Sequence, residues 1–289
     1  QQAEYLLFAG YTGSAPASYR EYAEIALDEL KEKYREVKWY AFYMENLQSD
    51  HLDTQNLYRD MQKRTGGEIY IGVVGPVRTG KSTFIKRFMD VAVLPYMEDA
   101  AQKTRAQDEL PQSAGGRTIT TTEPKFIPQE AVELKLAGEV TIRVRLVDCV
   151  GFMVEGAAGH LEDGAERLVK TPWYDHEIPF TQAAELGTRK VITDHSTIGV
   201  VVTTDGSFSD LPQETYLDAE NQAISELKKL HKPFLVLVNS SHPSSRTARE
   251  AAERIEKQHS VAAMPVNCAQ LSEEDIRQIM EQILYEFPV

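Results

Sequence analysis

The residues best suited to chemistry in this chain form one short motif. Residues 75–82 read Gly-Pro-Val-Arg-Thr-Gly-Lys-Ser, the G-x-x-x-x-G-K-S pattern of a phosphate-binding P-loop. Its glycines let the backbone curl so that several N–H groups point at phosphate oxygens. Lys81 brings a cation to the β- and γ-phosphates, and Ser82 offers a hydroxyl to Mg²⁺. The predicted nucleotide contacts are Gly75, Arg78, Thr79, Gly80, Lys81, Ser82 and Thr83.

A second candidate group stands at the end of a predicted strand. Residues 139–147 alternate apolar and polar side chains and lead into Asp148-Cys149-Val150-Gly151. An aspartate at the carboxyl end of a strand, downstream of a P-loop, is suited to hold Mg²⁺ through a water molecule, which is the Walker B role. Gly151 completes the D-x-x-G pattern of switch-type nucleotidases, in which a backbone N–H detects the γ-phosphate. We therefore predict that Asp148 and Ser82 bind the metal and that Gly151 contacts the nucleotide.

A threonine-rich stretch lies between these two motifs. Residues 115–122 read Gly-Gly-Arg-Thr-Ile-Thr-Thr-Thr. One interpretation is a mobile switch loop in which a threonine contacts Mg²⁺ or the γ-phosphate. The other is an edge strand, because threonine favours strands. These residues alone leave both interpretations open.

The segment after a predicted strand at 233–238 bears on which base the protein binds. Small GTPases carry Asn-Lys-x-Asp at this point, and the aspartate binds the guanine edge, whereas this chain has Asn239-Ser240-Ser241-His242. Without a carboxylate to accept hydrogen bonds from guanine N1 and N2, guanine specificity should be weak. This favours ATP in a GTPase-like frame, and the alternative is that the base is recognised elsewhere. Asn239 is itself predicted to contact the nucleotide.

Alternating strands and helices must position these groups. Apolar runs at 69–74, 198–204 and 233–238 are typical of strands buried on both faces of a parallel sheet. A hairpin is expected to join 131–136 to 139–147. Helices are predicted at 83–89, 216–230, 247–258 and 272–287, the last with Ser272 as its N-cap, and a short strand is predicted at 261–266. The fold class is therefore α/β: a three-layer P-loop nucleotidase with a mostly parallel sheet, helices on both faces and GTPase-like topology.

Two further segments carry no predicted site. Residues 152–190 form a long insert in which His160, His176 and Glu177 do not match a common zinc spacing. Its aromatic residues are expected to pack the insert onto the sheet. Residues 1–50 are predicted to form a small β-α-β extension or fused segment of unknown role, and residues 54–289 the P-loop ATPase domain.

Composition limits the classes of function. The 289 residues carry a formal net charge of −13, which argues against a broad nucleic-acid-binding surface. The two cysteines, Cys149 and Cys268, cannot build a disulfide framework, so a reducing, cytoplasmic compartment is expected. The sequence shows neither an apolar run long enough to span a bilayer nor a signal peptide, so any membrane contact is expected to be peripheral.

Several motifs together resemble one family, the nucleotidase domain of stage IV sporulation protein A, a coat-morphogenesis ATPase of spore-forming Firmicutes. The resemblance extends from about Leu57 to Val289 and includes both the P-loop region and the threonine-rich stretch. The matching segments are 64–67, 75–84, 116–128, 194–206, 264–268 and 285–288. This family is related to translation-factor GTPases but uses ATP, which agrees with the missing Asn-Lys-x-Asp motif.

The resemblance implies a function and residue roles. Lys81 and Asp148 match the family's Walker A lysine and Walker B aspartate, and Thr121 and Thr122 match its sensor threonines. The implied catalytic residues are these four, and Thr121 joins Ser82 and Asp148 as an expected metal ligand. ATP and Mg²⁺ are the implied cofactors. Hydrolysis of ATP to ADP and phosphate is expected to drive an irreversible conformational change and polymerisation into the basement layer of the spore coat.

The resemblance also implies partners and a location. The polymer is expected on the mother-cell face of the forespore, anchored by a small amphipathic membrane-binding peptide and bound by other coat proteins. Family members carry two more domains after the nucleotidase, whereas this chain ends at Val289, so the peptide and coat contacts are expected to use domains missing here. The main alternative is a regulatory GTPase-type switch that does not polymerise. A P-loop kinase is less favoured, because D-x-x-G is typical of switch proteins.

Overall fold

A six-stranded mixed sheet positions the P-loop. The computed structural model of the chain describes residue 63 and residues 65–111, 123–136, 140–157, 161–162, 165–208 and 211–287. Its strands are β1 (Glu68–Val74), β2 (Lys125–Leu136), β3 (Val140–Asp148), β4 (Leu161–Glu162), β5 (Ala165–Glu166), β6 (Leu168–Thr171), β7 (Tyr174–Pro179), β8 (Ile198–Thr204), β9 (Phe234–Asn239) and β10 (Ala263–Val266). Six of them form the sheet, in the order β10-β9-β8-β1-β3-β2.

The sheet is parallel except at one edge. β2 alone runs antiparallel, paired with β3 as the predicted hairpin requires. All other neighbours in the sheet are parallel, including β1 with β3 and β1 with β8. The carboxyl ends of β1, β3, β8, β9 and β10 therefore meet at one edge, where ligand sites of open α/β sheets form.

Helices cover both faces of the sheet. They are α1 (Lys81–Phe88), α2 (Ala100–Asp108), α3 (Phe180–Lys190), α4 (Leu217–Lys229), α5 (Arg246–His259) and α6 (Glu273–Tyr285). One apolar cluster joins the sheet to α1 and α6 through residues such as Phe84 and Ile279, and a second joins it to α4 and α5 through residues such as Ile224 and Ile255. The predicted three-layer α/β arrangement with a mostly parallel sheet is confirmed.

Local sequence explains where the helices begin. Ser272 caps α6 in a reciprocal capping box with Asp275, in agreement with its predicted place just before that helix. Asp99 accepts hydrogen bonds from the backbone N–H groups of Ala101 and Gln102 and so starts α2. That helix was not predicted, because only Ala106 of its nine residues is buried and no apolar stripe marks it.

The insert after β3 folds into two small hairpins followed by α3. β4 pairs with β5, and β6 pairs with β7. Ile178 and Phe180 are buried, but Tyr174 is 42% exposed and packs against His176 at 5.4 Å between ring centroids. The expectation that the insert's aromatic residues pack onto the sheet therefore fails for Tyr174.

Several predictions concern residues that the structure does not describe. The β-α-β unit of residues 1–50 and the division before residue 54 lie outside the described residues. Of the part that is described, no helix is long and apolar enough to cross a membrane. Cys149 and Cys268 are both buried free thiols.

Candidate active site

The P-loop follows β1 in a conformation that depends on its glycines. Gly75 and Gly80 have φ angles of 127° and 96°, in the region that L side chains rarely adopt. A Cβ atom on Gly75 would lie 2.4 Å from the carbonyl oxygen of Val202, and one on Gly80 would lie 2.3 Å from Nδ2 of Asn239. The motif glycines are therefore required both by backbone conformation and by close approach to β8 and β9.

Thr79 connects the P-loop to β8 through a side-chain hydrogen bond. Its side chain is fully buried, and its hydroxyl lies 2.6 Å from the carbonyl oxygen of Val202 and 3.0 Å from that of Pro76. The hydroxyl is therefore used to hold the loop. Any contact of Thr79 with a nucleotide would come from its backbone, in keeping with a loop that binds phosphates through N–H groups.

Lys81 is a buried cation at the first turn of α1. Its side chain is only 4% exposed, and Nζ donates a hydrogen bond to the carbonyl oxygen of Pro76 at 2.5 Å. Burial lowers the pKa of the ammonium, and the negative charge of nearby Asp148 acts in the opposite direction. Because the hydrogen-bond partner of Lys81 is a neutral carbonyl, a phosphate group would supply a negatively charged partner.

Ser82 and Asp148 lie side by side at the mouth of the loop. The Ser82 hydroxyl donates to Oδ2 of Asp148 at 2.9 Å, and Oδ1 accepts from the backbone N–H of Cys149 at 3.0 Å. Although the Asp148 side chain is partly exposed, the surrounding protein raises the pKa of its carboxyl through desolvation, and Lys81 and Ser82 oppose this rise.

This pair fits a magnesium site. A hydroxyl and a carboxylate are hard oxygen ligands, which Mg²⁺ prefers, and a divalent cation would compensate the poorly solvated carboxylate. Mg²⁺ commonly keeps several waters and binds through few protein groups together with phosphates. Ser82 and Asp148 are therefore the described residues that could hold it.

The D-x-x-G segment is joined directly to the P-loop. The backbone N–H of Phe152 donates to the carbonyl oxygen of Gly75 at 3.0 Å, and Val77 N–H donates to the carbonyl oxygen of Phe152 at 2.9 Å. Gly151 has a φ of 99°, and a Cβ atom on it would lie 2.5 Å from Nζ of Lys81. Gly151 therefore lies against the lysine that would contact the phosphates.

The N–H of Gly151 has a partner that the sequence did not predict. It donates to the hydroxyl of Thr188, 3.1 Å away, on the buried face of α3. The same hydroxyl donates to the carbonyl oxygen of Ala184 at 2.8 Å. No motif marks Thr188, because it approaches Gly151 only through the packing of the insert.

Asn239 ties together three loops at the carboxyl edge of the sheet. Its Nδ2 donates to the carbonyl oxygen of Thr79 at 2.9 Å, and its Oδ1 accepts from the N–H of Cys268 at 3.0 Å. Both polar atoms of the carboxamide therefore contact protein. The predicted nucleotide contact of Asn239 stays a prediction, and the observed contacts give it a structural role in holding the P-loop.

The loop after β9 is held by hydroxyl groups. The Ser240 hydroxyl accepts from the N–H of His242 at 3.0 Å, and the hydroxyl of Ser207 accepts from the N–H of Ser241 at 2.8 Å. The stretch from Asn239 to His242 contains no carboxylate, and His242 is exposed. The loop therefore offers no acidic side chain at the position where GTPases bind guanine.

The predicted site residues differ in where they lie. The structure brings together Gly75, Gly80, Lys81, Ser82, Asp148 and Gly151. Arg78 is exposed, with a φ of 62°, and Thr83 is half-buried at the start of α1. Thr121 and Thr122 lie outside the described residues. The catalytic and nucleotide-binding roles of all these residues remain predictions.

Comparison with known proteins gives one family. The model of the family described as "Stage IV sporulation protein A, ATPase domain" matches residues 52–288. The chain is 50% identical over 234 residues to stage IV sporulation protein A of Clostridioides difficile (strain 630), and 46% identical over 238 residues to that of Bacillus subtilis (strain 168). These alignments cover 81% and 82% of the chain and 48% of each relative. The chain thus spans about half the length of the curated relatives it matches.

Similarity to solved structures is weaker. A structure described as SsGBP in complex with GDP has a TM-score of 0.43 and 12% identity, covering 98% of this chain and 67% of the other. A structure of a mutation variant of SsGBP has a TM-score of 0.42 and 13% identity, covering 82% of this chain and 64% of the other. At these values the similarity does not bear on nucleotide choice, and the fold is established by the sheet order itself.

Proposed function

Because the chain belongs to the ATPase-domain family of stage IV sporulation protein A, we propose that it binds ATP with Mg²⁺ and hydrolyses it to ADP and phosphate. The observation that carries this proposal is the grouping of Lys81, Ser82 and Asp148 at the mouth of the P-loop, with the Ser82 hydroxyl 2.9 Å from the carboxylate. A buried cation, a hydroxyl and a carboxylate around one loop supply the groups that phosphoryl transfer requires.

Each group has a separate task in this proposal. The N–H groups of the P-loop bind the β-phosphate, and the ammonium of Lys81 orients the β- and γ-phosphates. Ser82 and Asp148 would hold Mg²⁺, which would neutralise charge on the phosphate oxygens when bound. The Gly151 N–H, beside Lys81, contacts the γ-phosphate. These contacts favour the transition state because its charge develops on oxygens that the site already faces.

Thr121 and Thr122 complete the proposed machinery. We assign them the sensor role, in which a threonine reaches Mg²⁺ and the γ-phosphate. The support is their position in the sequence between the P-loop and Asp148, and their match to the family's motif. Contacts that act mainly during transfer of the phosphate affect turnover more than binding.

We propose that the site prefers ATP to GTP. Guanine recognition commonly uses a carboxylate that accepts from N1 and N2, and the loop after β9 carries Asn239-Ser240-Ser241-His242 instead. The hydroxyls of Ser240 and Ser207 accept from backbone groups of this same loop. Adenine lacks the N1 proton and the N2 amino group that require such a carboxylate. Fewer of its donors are therefore left without an acceptor in this loop than would be the case for guanine.

Hydrolysis is proposed to drive assembly. In this hypothesis the change from ATP to ADP causes a conformational change that leads to self-association, and the polymer forms the basement layer of the spore coat on the mother-cell face of the forespore. A small amphipathic membrane-anchoring peptide and other coat proteins are the proposed further partners. We assign those contacts to regions of the relatives that this chain does not cover, since it spans about half their length.

Phosphate release tests the proposed enzyme activity. The 289-residue chain is incubated with Mg²⁺ and either ATP or GTP, and free phosphate is measured over time. Faster release from ATP supports the proposal. Faster release from GTP would instead support the regulatory GTPase switch, and no release from either nucleotide would contradict a hydrolase.

Pelleting and light scattering test the assembly step separately. The chain is compared in ATP, ADP and a non-hydrolysable ATP analogue. Assembly in ATP alone is expected if hydrolysis drives the change. Equal assembly in all three conditions would refute the link between hydrolysis and self-association without affecting the ATPase proposal.

A further inference from the structure

The Gly151 N–H, which the proposed function assigns to the γ-phosphate, donates to the Thr188 hydroxyl at 3.1 Å. Thr188 is fully buried on α3, and its hydroxyl is oriented by its own donation to Ala184 at 2.8 Å. With its single proton directed at Ala184, the hydroxyl oxygen presents a lone pair to Gly151. The Thr188 hydroxyl therefore acts as donor to Ala184 and as acceptor from Gly151.

The position of Gly151 makes this contact relevant to the phosphate site. A Cβ atom on Gly151 would lie 2.5 Å from Nζ of Lys81 and 2.3 Å from the carbonyl oxygen of Gly75. The residue thus lies against both the lysine and the first residue of the P-loop. One amide proton makes one strong hydrogen bond, so the Thr188 hydroxyl and a γ-phosphate oxygen would compete for it.

The neighbouring residue limits how the exchange can happen. Phe152 is held on the P-loop by hydrogen bonds to Gly75 and Val77, and its side chain is buried. The segment is thus anchored immediately after Gly151. A glycine at a φ of 99° can rotate its preceding peptide without a side-chain clash, so the N–H can change partner while Phe152 stays in place.

We propose that Thr188 is a positioning residue that sets the preference of the site for nucleoside triphosphate over diphosphate. Its hydroxyl holds the Gly151 N–H away from the phosphate position, and a γ-phosphate must displace it. A diphosphate does not reach Gly151 and leaves the contact intact. This inference rests on the proposed function, because it assumes that ATP occupies the P-loop.

Replacing Thr188 by Val tests the inference. Valine keeps the branched shape but removes the hydroxyl acceptor at 3.1 Å, which leaves the Gly151 N–H only the weaker sulfur acceptor of Cys149 unless a γ-phosphate is present. The ratio of the Kd for ADP to the Kd for a non-hydrolysable ATP analogue should rise by about 2- to 10-fold, the factor carried by one neutral hydrogen bond. Thr188→Ser is the matched control, because it keeps the hydroxyl, and its ratio should equal that of the wild type.

The outcomes separate this inference from the proposed function. If the wild type binds neither nucleotide, the proposed function fails. If the wild type binds both and folded Thr188→Val shows an unchanged ratio, Thr188 only packs α3 and the inference is overturned. A general loss of affinity for both nucleotides has the same meaning, because a structural defect does not discriminate between them.

A second measurement covers the case in which Thr188→Val does not fold. The amide resonance of Gly151 is followed by NMR in the wild-type chain with ADP and with the ATP analogue. The exchange of partners predicts a large shift with the analogue and little change with ADP. Equal shifts with both nucleotides would overturn the proposed exchange.

Discussion

Replacing Lys81 by Met separates the cost of burying a cation from the benefit that the cation brings to nucleotide binding. Lys81 is 4% exposed, and burial lowers the pKa of its ammonium. Its described hydrogen bond goes to the carbonyl oxygen of Pro76, which is a neutral group. The charge is therefore compensated only in part within the protein.

Two opposite effects follow for this variant. Methionine has a similar length and no charge, so the protein without nucleotide should keep its melting temperature or gain slightly. Nucleotide binding should weaken, because Lys81 is expected to contact both the β- and γ-phosphates, and each charge-assisted hydrogen bond contributes about 1.5–3 kcal/mol. Two such bonds correspond to a loss of affinity of about 10²- to 10⁴-fold.

Calorimetric titration with a non-hydrolysable ATP analogue and thermal melting without nucleotide measure the two effects. Lys86→Met is the matched control, because Lys86 lies on the exposed face of the same helix. The control should leave both quantities near the wild type. The reasoning would be refuted by near-normal affinity in Lys81→Met, or by a large loss of stability that matches the loss of affinity.

Three further variants test the other groups of the site. Burial raises the pKa of the Asp148 carboxyl in the folded protein above the value of about 3.9 that it has in the unfolded chain. Ionised Asp148 therefore lowers the stability of the fold once the pH rises above about 3.9. Asp148→Asn should melt at a higher temperature than the wild type at neutral pH without Mg²⁺, and the difference should vanish in acid. Asn239→Ala leaves two backbone groups without partners and should lower the free energy of unfolding by about 2–4 kcal/mol in denaturant titrations, whereas Asn267→Ala, which loses one exposed contact, should change it little. The double variant Thr121→Ala, Thr122→Ala should bind ATP normally but turn over about 10²-fold more slowly, and full turnover would exclude the sensor role.

The parts of the fold predicted from the sequence are those whose signals are local. The P-loop motif is contiguous, and the apolar runs of β8 and β9 are buried at every residue, so each could be identified without knowing its neighbours. The Ser272 cap of α6 is likewise encoded within four residues. α2 was missed because its start depends on Asp99 alone and its surface lacks an apolar stripe.

The parts of the site that escaped prediction depend on contacts between distant segments. Thr188 reaches Gly151 across 37 residues, and Asn239 reaches the Thr79 carbonyl oxygen across 160. Neither side chain has a fixed spacing from its partner, because the intervening insert and helices set the distance. The sequence pattern indicated Asn239 as a candidate site residue because it lies at the end of a predicted strand. The pattern could not reveal that both the nitrogen and the oxygen of its carboxamide make hydrogen bonds to the protein.

Lys81 and the Gly151 N–H both make hydrogen bonds to other groups of the protein, and these bonds affect how the site distinguishes ATP from ADP. Lys81 donates to Pro76, and the Gly151 N–H donates to Thr188. Under the proposed function, nucleotide binding would exchange these partners for phosphate oxygens. A hydrogen bond to a charged phosphate is about twice as strong as one to a neutral oxygen, so both exchanges are favourable. The exchange at Lys81 begins with the β-phosphate, which ATP and ADP share. The exchange at Gly151 requires the γ-phosphate, so under the proposed function it is the described contact through which the chain can sense the loss of that group after hydrolysis.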